Sequence, residues 1–455
     1  MQRKNENIPG CLARKAFPFR DNPIRDNPIP DIPIPDIPFP DIPIKKRLGD
    51  RIMKEVVIVE YLRTAQSRSR PNEPARDWFC KIRGDELLAK LLPEIVKKAG
   101  LEPKEIDDFV VGCATAVGEQ WAYGGRNPIF LANFPETLAA KFVDQQCGSS
   151  MAAIHVGFME IATDFADIVL VGGYEHMTRV PMGMVTRDRG HIAPNMALFL
   201  DPDYLHWDMM TSTNMGLTAE KLFARSGYTK EDLDHWAVLS HQRAAKAQKD
   251  GFLQGEILPI EAEQEDGTIM TVDKDQAIRT DVTLEGIAGL KPAFKKDGVI
   301  TAGNSSPLNA AASSMVLMSK ETARKKGIKP LATIRSIGFA GVDPTIMGAG
   351  PVPASRMALE KAGLTASDID FWEINEAFCI VALNCIKEFS LDPDRVNVMG
   401  GGTAIGHALG ATGIRLVGTL ARTLNSKGAR YGCANACVGG GQGVATVIER
   451  EDYDW

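Results

Sequence analysis

No stretch of this 455-residue chain approaches the roughly 20 consecutive apolar residues that a membrane-crossing helix needs. The N-terminus also lacks the apolar core of a secretory signal. A helical membrane anchor and secretory export are therefore not expected. Cysteine is sparse: Cys11, Cys80, Cys113, Cys147, Cys379, Cys385, Cys433 and Cys437 include no Cys-x-x-Cys pair and lack the dense spacing of a disulfide-stapled domain. That pattern points to a reducing, cytoplasmic compartment. Positive charge is not in excess either, since 52 Lys and Arg against 58 Asp and Glu leave a formal charge of −6. General affinity for nucleic acid or for an anionic membrane surface is thereby disfavoured, and an anionic substrate would need a local site. Metal-ligand spacing is missing as well. His155, His176, His191, His206, His235 and His241 form no ligand pair, and Asp201-Pro202-Asp203 with His206-Trp207-Asp208 reads as a loop.

The chain is long enough for two or three domains and a large core without disulfide or metal staples. From Phe17 to Ile44 it repeats the phrase Pro-Asp-Ile-Pro-Ile and variants, with prolines too frequent for helix or sheet pairing. Residues 1–52 are expected to be a disordered extension, dispensable for activity, with the domain beginning at Met53.

Beyond it, strands and helices alternate. Glu55 to Glu60 reads as a buried strand, Gly84 to Ala99 as a helix ended by Gly100, and Asp108 to Gly112 as a strand. Phe142 to Gln146 leads into Cys147-Gly148-Ser149-Ser150, a small-residue helix from Met151 to Ala162, and a strand from Ala166 to Gly172. The second half replays this order: strand Leu331 to Gly338, helix Val352 to Ala362, strand Ile369 to Ile374, a glycine-rich turn and helix from Gly400 to Leu424, and closing strands from Arg430 to Glu449. Such repetition implies a duplicated α/β unit packed as a pseudo-symmetric pair. Between the halves, about 173–298, the pattern loosens, with one clear helix from Asp232 to Asp250. This region is expected to be an inserted loop domain for substrate recognition.

Chemistry concentrates at four places. Cys147 lies between a strand-like stretch and a helix, where free N–H groups and the helix dipole favour a thiolate; position alone also suits an inert core cysteine. His407 stands in the equivalent glycine-rich turn of the second half, Gly400 to Gly410, placed to move protons. Cys437 precedes Val438-Gly439-Gly440-Gly441-Gln442-Gly443, whose backbone N–H groups are free to face a cavity. A thiol there can act on a proton, whereas Cys113, Cys379, Cys385 and Cys433 read as structural. Asn375-Glu376-Ala377-Phe378 follows a strand end, where an amide can hold a water, polarise an oxyanion, or simply cap a turn.

Taken together, Cys147-Gly-Ser-Ser, Asn375-Glu-Ala-Phe, Gly406-His407 and Cys437-Val-Gly-Gly-Gly resemble the four active-site motifs of the thiolase family, in its order and spacing. The resemblance covers Met53 to the C-terminus, including Gly173-Tyr-Glu-His-Met177, Met215-Gly-Leu-Thr-Ala-Glu220, Thr301-Ala-Gly-Asn-Ser-Ser306 and Gly350-Pro-Val-Pro-Ala354. These phrases look closer to the degradative 3-ketoacyl-CoA thiolases than to the biosynthetic acetyl-CoA acetyltransferases. The family implies duplicated βαβαβαββ halves, residues 53–322 and 323–455, forming a five-layered α-β-α-β-α core. It also implies reversible thiolysis of 3-ketoacyl-CoA by CoA, or condensation of two acyl-CoA, in a homodimer or homotetramer with no metal or redox cofactor.

The resemblance implies roles for single residues. Cys147 would carry the acyl group, His407 would activate it, and Asn375 would hold a water that forms an oxyanion site with His407. Cys437 would shuttle the proton of the second substrate, the N–H groups of Cys147 and Gly439 would form another oxyanion site, and Ser306 would contact the pantetheine of CoA. Three departures accompany it. Ala408 follows His407 where the family usually has proline, Pro307-Leu-Asn-Ala-Ala311 stands where Asp-Gly-Ala-Ala is usual, and Val143-Asp-Gln-Gln-Cys147 replaces a common Val-Asn-Arg-x-Cys.

Two other classes compete: a thiolase-like protein that carries acyl-CoA or lipid without chemistry, and a ketoacyl-synthase-type condensing enzyme. A carrier would be expected to lose a reactive group, and a synthase to rely on one cysteine and two histidines, so that the second cysteine, Cys437, favours thiolase. Met182, Met184, Met196, Met209, Met210 and Met215, with Phe199, Tyr204 and Trp207, could line an acyl channel or simply pack as core. Lys291, Lys295, Lys296, Lys320, Lys325 and Lys326 could meet CoA phosphates, but a solvated face is the plainer reading.

Overall fold

Val56–Arg63 is buried along nearly its whole length, which places it inside a sheet rather than at an edge. In the structure, a computed structural model that describes residues 53–181 and 195–451, this strand is β1. The proline-rich extension, and the expectation of disorder there, lies outside the described residues, as do Met182, Met184 and His191. The remaining strands are β2 (Ser67–Arg68), β3 (Asp108–Gly112), β4 (Ala139–Val143), β5 (Ile168–His176), β6 (Ile260–Glu263), β7 (Ile269–Val272), β8 (Asn309–Ser319), β9 (Ala332–Gly341), β10 (Phe371–Ile374), β11 (Tyr431–Val438) and β12 (Gln442–Arg450). The longer helices are α1 (Gly84–Lys98), α2 (Ser149–Ala162), α3 (Met215–Ser226), α4 (Lys230–Lys249), α5 (Pro351–Ala362), α6 (Cys379–Phe389) and α7 (Leu409–Lys427).

The main sheet runs β10-β11-β12-β9-β1-β8-β5-β3-β4, with β2 attached to β8 and β6-β7 forming a separate hairpin. Its two ends have one plan. In the first half β3 lies parallel to both β4 and β5, and β5 is antiparallel to β8. In the second, β10 is parallel to β11 and β11 antiparallel to β12, while Val396 bridges Trp372 in parallel, beside β10 as β4 lies beside β3. The halves meet where β1 pairs antiparallel with β9. Three apolar cores separate the layers. Leu87, Leu88 and Leu91 of α1 pack with Phe109 and Leu170; Met151 and Ile154 of α2 pack with Ile414 and Val417 of α7; Val352 and Ala358 of α5 pack with Ile374 and Val447. This gives the five-layered α-β-α-β-α arrangement that the family resemblance implied.

The two middle helices touch backbone to backbone. A Cβ on Gly413 would sit 2.2 Å from the Met151 nitrogen, so only glycine allows the approach. That contact brings together the N-termini of α2 and α7, and hence the segments before them, which carry Cys147 and His407. Arg63 fixes the intervening segment to β1: buried itself, it donates to Glu256 at 2.8 Å and to both oxygens of Asp275 at 2.7 and 2.9 Å. Removing Arg63 would strip the buried Asp275 carboxylate of its counter-charge, at a cost of about 3–5 kcal/mol.

Several elements differ from the sequence reading. β5 continues through His176, past Gly173, because its whole length is buried. α3 is a helix within the segment that shows only one helical pattern in sequence; Asn214 caps it by accepting the Leu217 N–H at 3.2 Å. The eleven-residue β8, rich in alanine and serine, carries no strand pattern in sequence, yet every residue of it is buried.

Candidate active site

Cys147 occupies a single 3-10 turn, Gln146–Gly148, directly before α2. Gln146 takes φ +46°, and this left-handed step turns the chain so that the cysteine faces inward. A side chain on Gly148 would meet Val438 at 2.8 Å, which keeps the turn pressed against the end of β11. Two backbone donors, the N–H groups of Cys147 itself and of Gly439, converge on Sγ. Burial nevertheless pushes the thiol up to about 12, and the buried Glu175 carboxylate adds to the shift. The expectation that the helix terminus would favour a thiolate is thus corrected: loss of water outweighs two N–H donors.

His407 is buried at the mouth of α7. Its Nδ1 lies 2.6 Å from the Thr412 hydroxyl, which itself donates to the Ala408 carbonyl at 2.8 Å. With that hydroxyl hydrogen committed, Thr412 accepts from Nδ1–H, so the proton is on Nδ1 and Nε2 keeps its lone pair. Asn375 Nδ2 donates to Nε2 at 3.3 Å. Burial lowers the imidazole to about 3, with Arg415 contributing, so it is neutral and able to accept a proton. Asn375 also meets the Cys437 thiol, whose pKa burial and the neighbouring Cys147 raise. Asn375 Oδ1 is buried without a hydrogen-bond partner among the described residues, and so is open to a group brought by solvent or substrate. The two thiols, the imidazole and the amide, drawn from four separate stretches of sequence, therefore share one site.

Cys147 and Gly439 line a cavity of about 1030 Å³ with Trp207, Met209 and Met215. Of the expected methionine lining, Met209 and Met215 are present, whereas Met196 and Met210 are more than half exposed. Ser306 lies elsewhere. It lines a separate, narrower cavity of about 220 Å³ with Thr403, His241, Arg68 and Arg279, and its N–H donates to the Ala377 carbonyl at 3.0 Å, beside Asn375. Positive charge gathers at this second cavity. Burial, together with Arg70, Arg279 and Arg76, holds Arg68 down to about 10, and neither Arg68 nor Arg279 has an ion-pair partner among the described residues. The lysines noted in the sequence do not assemble there: Lys320 pairs with Glu451 at 3.0 Å, Lys325 with Glu321 at 2.7 Å and Lys326 with Glu105 at 2.5 Å.

Models of two domains match the chain, the thiolase N-terminal domain over residues 56–321 and the thiolase C-terminal domain over residues 328–450. This chain belongs to the thiolase family. Among its relatives, 3-ketoacyl-CoA thiolases of Saccharophagus degradans and Aliivibrio fischeri are each 40% identical, over 87% and 88% of this chain and 98% and 100% of their own. Among solved structures, the acetyl-CoA acetyltransferase of Bacillus anthracis is similar at a TM-score of 0.77 and 36% identity. Human mitochondrial 3-ketoacyl-CoA thiolase is similar at 0.77 and 30%. Both comparisons cover 88% of this chain and 100% of the other.

Several polar groups that shape this thiolase site went unread in the sequence. Glu175, buried, accepts from the N–H groups of Ala114 at 2.9 Å and Gly410 at 3.0 Å and from Gln120 at 2.7 Å, joining both walls around Cys147. Glu376 accepts from Trp236, Ser240, Asn397 and the Thr403 N–H, fastening α4 to the turn before His407. Thr412 carried the one available signal: a hydroxyl five residues beyond a histidine, in the first turn of a helix.

Proposed function

We propose that this thiolase cleaves 3-ketoacyl-CoA with CoA, and runs the same steps backwards as a condensation, through an acyl group on Cys147. The Cys147 thiol attacks the 3-keto carbon while its proton passes to His407 Nε2. The ketone oxygen becomes an oxyanion between the N–H groups of Cys147 and Gly439. When the C2–C3 bond breaks, its electrons move into a thioester enolate, whose oxygen lies against protonated His407 and a water held by Asn375. The Cys437 thiol protonates C2 and releases acetyl-CoA. Incoming CoA gives its thiol proton to the Cys437 thiolate and attacks the acyl carbon; His407 returns its proton to the departing Cys147 sulfur. Each group ends as it began.

The observation that carries this reading is the convergence of Gly439 N–H on the Cys147 sulfur, with Asn375 touching both His407 and Cys437. Both donors lie at the sulfur that would carry the acyl group, where they would also reach the neighbouring oxyanion and so lower the barrier to acyl transfer. Neutral thiol and neutral imidazole suit it too, because the ion pair forms only as the carbonyl accepts charge. We assign the pantetheine arm to the cavity at Ser306 and the CoA phosphates to Arg68 and Arg279. The working form would be a cytoplasmic homodimer or homotetramer; β4 ends the sheet with an open edge able to pair with another copy.

The test is thiolysis of acetoacetyl-CoA by CoA, followed with mass measurement of the enzyme after acetyl-CoA alone. Cys147→Ala should lose both acylation and turnover. Cys437→Ser should still acylate but turn over at least about a hundredfold more slowly, as loss of an acid-base group predicts. Folded parent protein with neither thiolysis nor acylation would identify a carrier instead.

A further inference from the structure

The backbone on both sides of His407 is held by side chains from the other half of the molecule. The His407 N–H donates to Asn309 Oδ1 at 2.9 Å, and the Ala408 N–H donates to Gln66 Oε1 at 3.2 Å. Asn309 in turn donates from Nδ2 to the Ser67 carbonyl at 2.9 Å, so its amide is fixed by the residue after Gln66. Gln66 is anchored by its own backbone: its N–H donates to Asp275 Oδ1 at 2.8 Å and its carbonyl accepts from Gln276 N–H at 3.0 Å. Gln66, Asn309 and Ala408 are all buried. Gly406, at φ +126°, lets the Asn309 amide lie directly on the chain, since a Cβ there would be 2.5 Å from Asn309 Nδ2.

Ala408 has φ −73°, an angle that proline adopts without strain. The backbone therefore leaves proline open at the position where the family usually carries it. Gln66 closes that option: the ring carbon that replaces the amide hydrogen would press on Oε1, and the buried oxygen would lose its donor. Gln66 and a proline at 408 exclude one another, while Gln66 and Ala408 complete one another.

We propose that Gln66 is a positioning residue for the base. Together with Asn309 it fixes the peptide planes before and after His407, replacing by two side-chain acceptors the rigidity that a proline ring would give. The imidazole is then aimed by three contacts: Asn309 and Gln66 on the backbone and Thr412 on Nδ1. This inference rests on His407 acting as the base in the proposed reaction.

The experiment is a double-mutant cycle in the full chain, with Gln66→Met, Ala408→Pro and the two combined. The readouts are kcat and KM for acetoacetyl-CoA thiolysis, and the melting temperature of each protein. Gln66→Met should lower kcat about tenfold with KM within about twofold, a split expected when orientation of a catalytic group is lost but binding is not. Ala408→Pro should lower kcat by about a hundredfold or more. The combination should recover at least about tenfold over Ala408→Pro, because neither an orphan acceptor nor a clash remains. A kcat for Gln66→Met within twofold of the parent, or losses that simply multiply in the combination, would overturn the proposal. Should Ala408→Pro fail to fold, recovery of folded protein in the combination supports the clamp, and failure of both overturns it. A parent without thiolysis would instead refute the functional reading. The melting temperatures of the same four proteins then still decide the clamp, non-additive shifts for it and additive shifts against.

Discussion

His407 gives its Nδ1 proton to Thr412 at 2.6 Å, and Thr412 passes its own to the Ala408 carbonyl at 2.8 Å. A single hydroxyl thus fixes which ring nitrogen is bare. Thr412→Val keeps the shape and removes the acceptor. The buried Nδ1–H is then unpaired, a cost of about 1–3 kcal/mol, and the ring can recover it by moving the proton to Nε2, where it no longer serves as a base. We expect kcat to fall roughly 10- to 100-fold, KM to change little, and Thr412→Ser to restore most of the rate. An unchanged kcat in Thr412→Val would show that the tautomer is set by some other contact.

The free enzyme should be slow to alkylate at neutral pH. Burial pushes Cys147 up to about 12 and brings His407 down to about 3, so neither group is charged between those values. The thiolate fraction then rises about tenfold per pH unit below the thiol pKa. Iodoacetamide labelling of Cys147, located by peptide mass, should climb steadily from pH 7 to pH 10 without a plateau. A plateau already reached at pH 7 would mean a preformed thiolate, and the sign of the burial argument would be wrong.

Arg68 predicts a separation of binding from stability. It is half-buried beside Arg279 and Arg70 with no carboxylate partner among the described residues, so its charge is unfavourable in the free protein. A phosphate would reverse that, at about 1.5–3 kcal/mol for a charge-assisted hydrogen bond. Arg68→Gln should therefore raise the KM for CoA roughly tenfold or more while leaving the melting temperature equal or higher. Substrates truncated to pantetheine, which lack those phosphates, should not distinguish the two proteins. A fall in melting temperature with an unchanged KM would make Arg68 a structural residue.

Where the sequence was legible, two independent signals agreed. Asp108 to Gly112 was bounded and apolar and is β3 to the residue. Cys147, His407 and Cys437 stood out because each is joined to glycines that permit close approach. β8 was hidden because alanine and serine favour no strand and its pattern has no alternation; burial on both faces by α1, α7 and the neighbouring strands makes it one. Gln66 and Asn309 were hidden for a different reason. Amides of this kind look like ordinary surface polar residues until the fold brings residues hundreds of positions apart within 3.2 Å. The helix-terminus argument at Cys147 failed on magnitude, since sequence cannot weigh burial against two N–H groups.

The cavity at Cys147 carries the last prediction, which concerns acyl length. At about 1030 Å³ it far exceeds what an acetyl group occupies, and Trp207, Met209 and Met215 give it a soft apolar wall. If a chain lies there, each buried methylene contributes about 0.8 kcal/mol, nearly fourfold in kcat/KM, until the cavity is filled. The kcat/KM for thiolysis should therefore climb from acetoacetyl-CoA through medium-length 3-ketoacyl-CoA. Met209→Trp shortens the space without touching the thiols or the imidazole, so its cost should grow with chain length: small for acetoacetyl-CoA, and at least about tenfold for a ten-carbon substrate. Equal losses at every length would place the acyl chain elsewhere, and a parent that prefers acetoacetyl-CoA would show that the cavity serves some other part of the substrate.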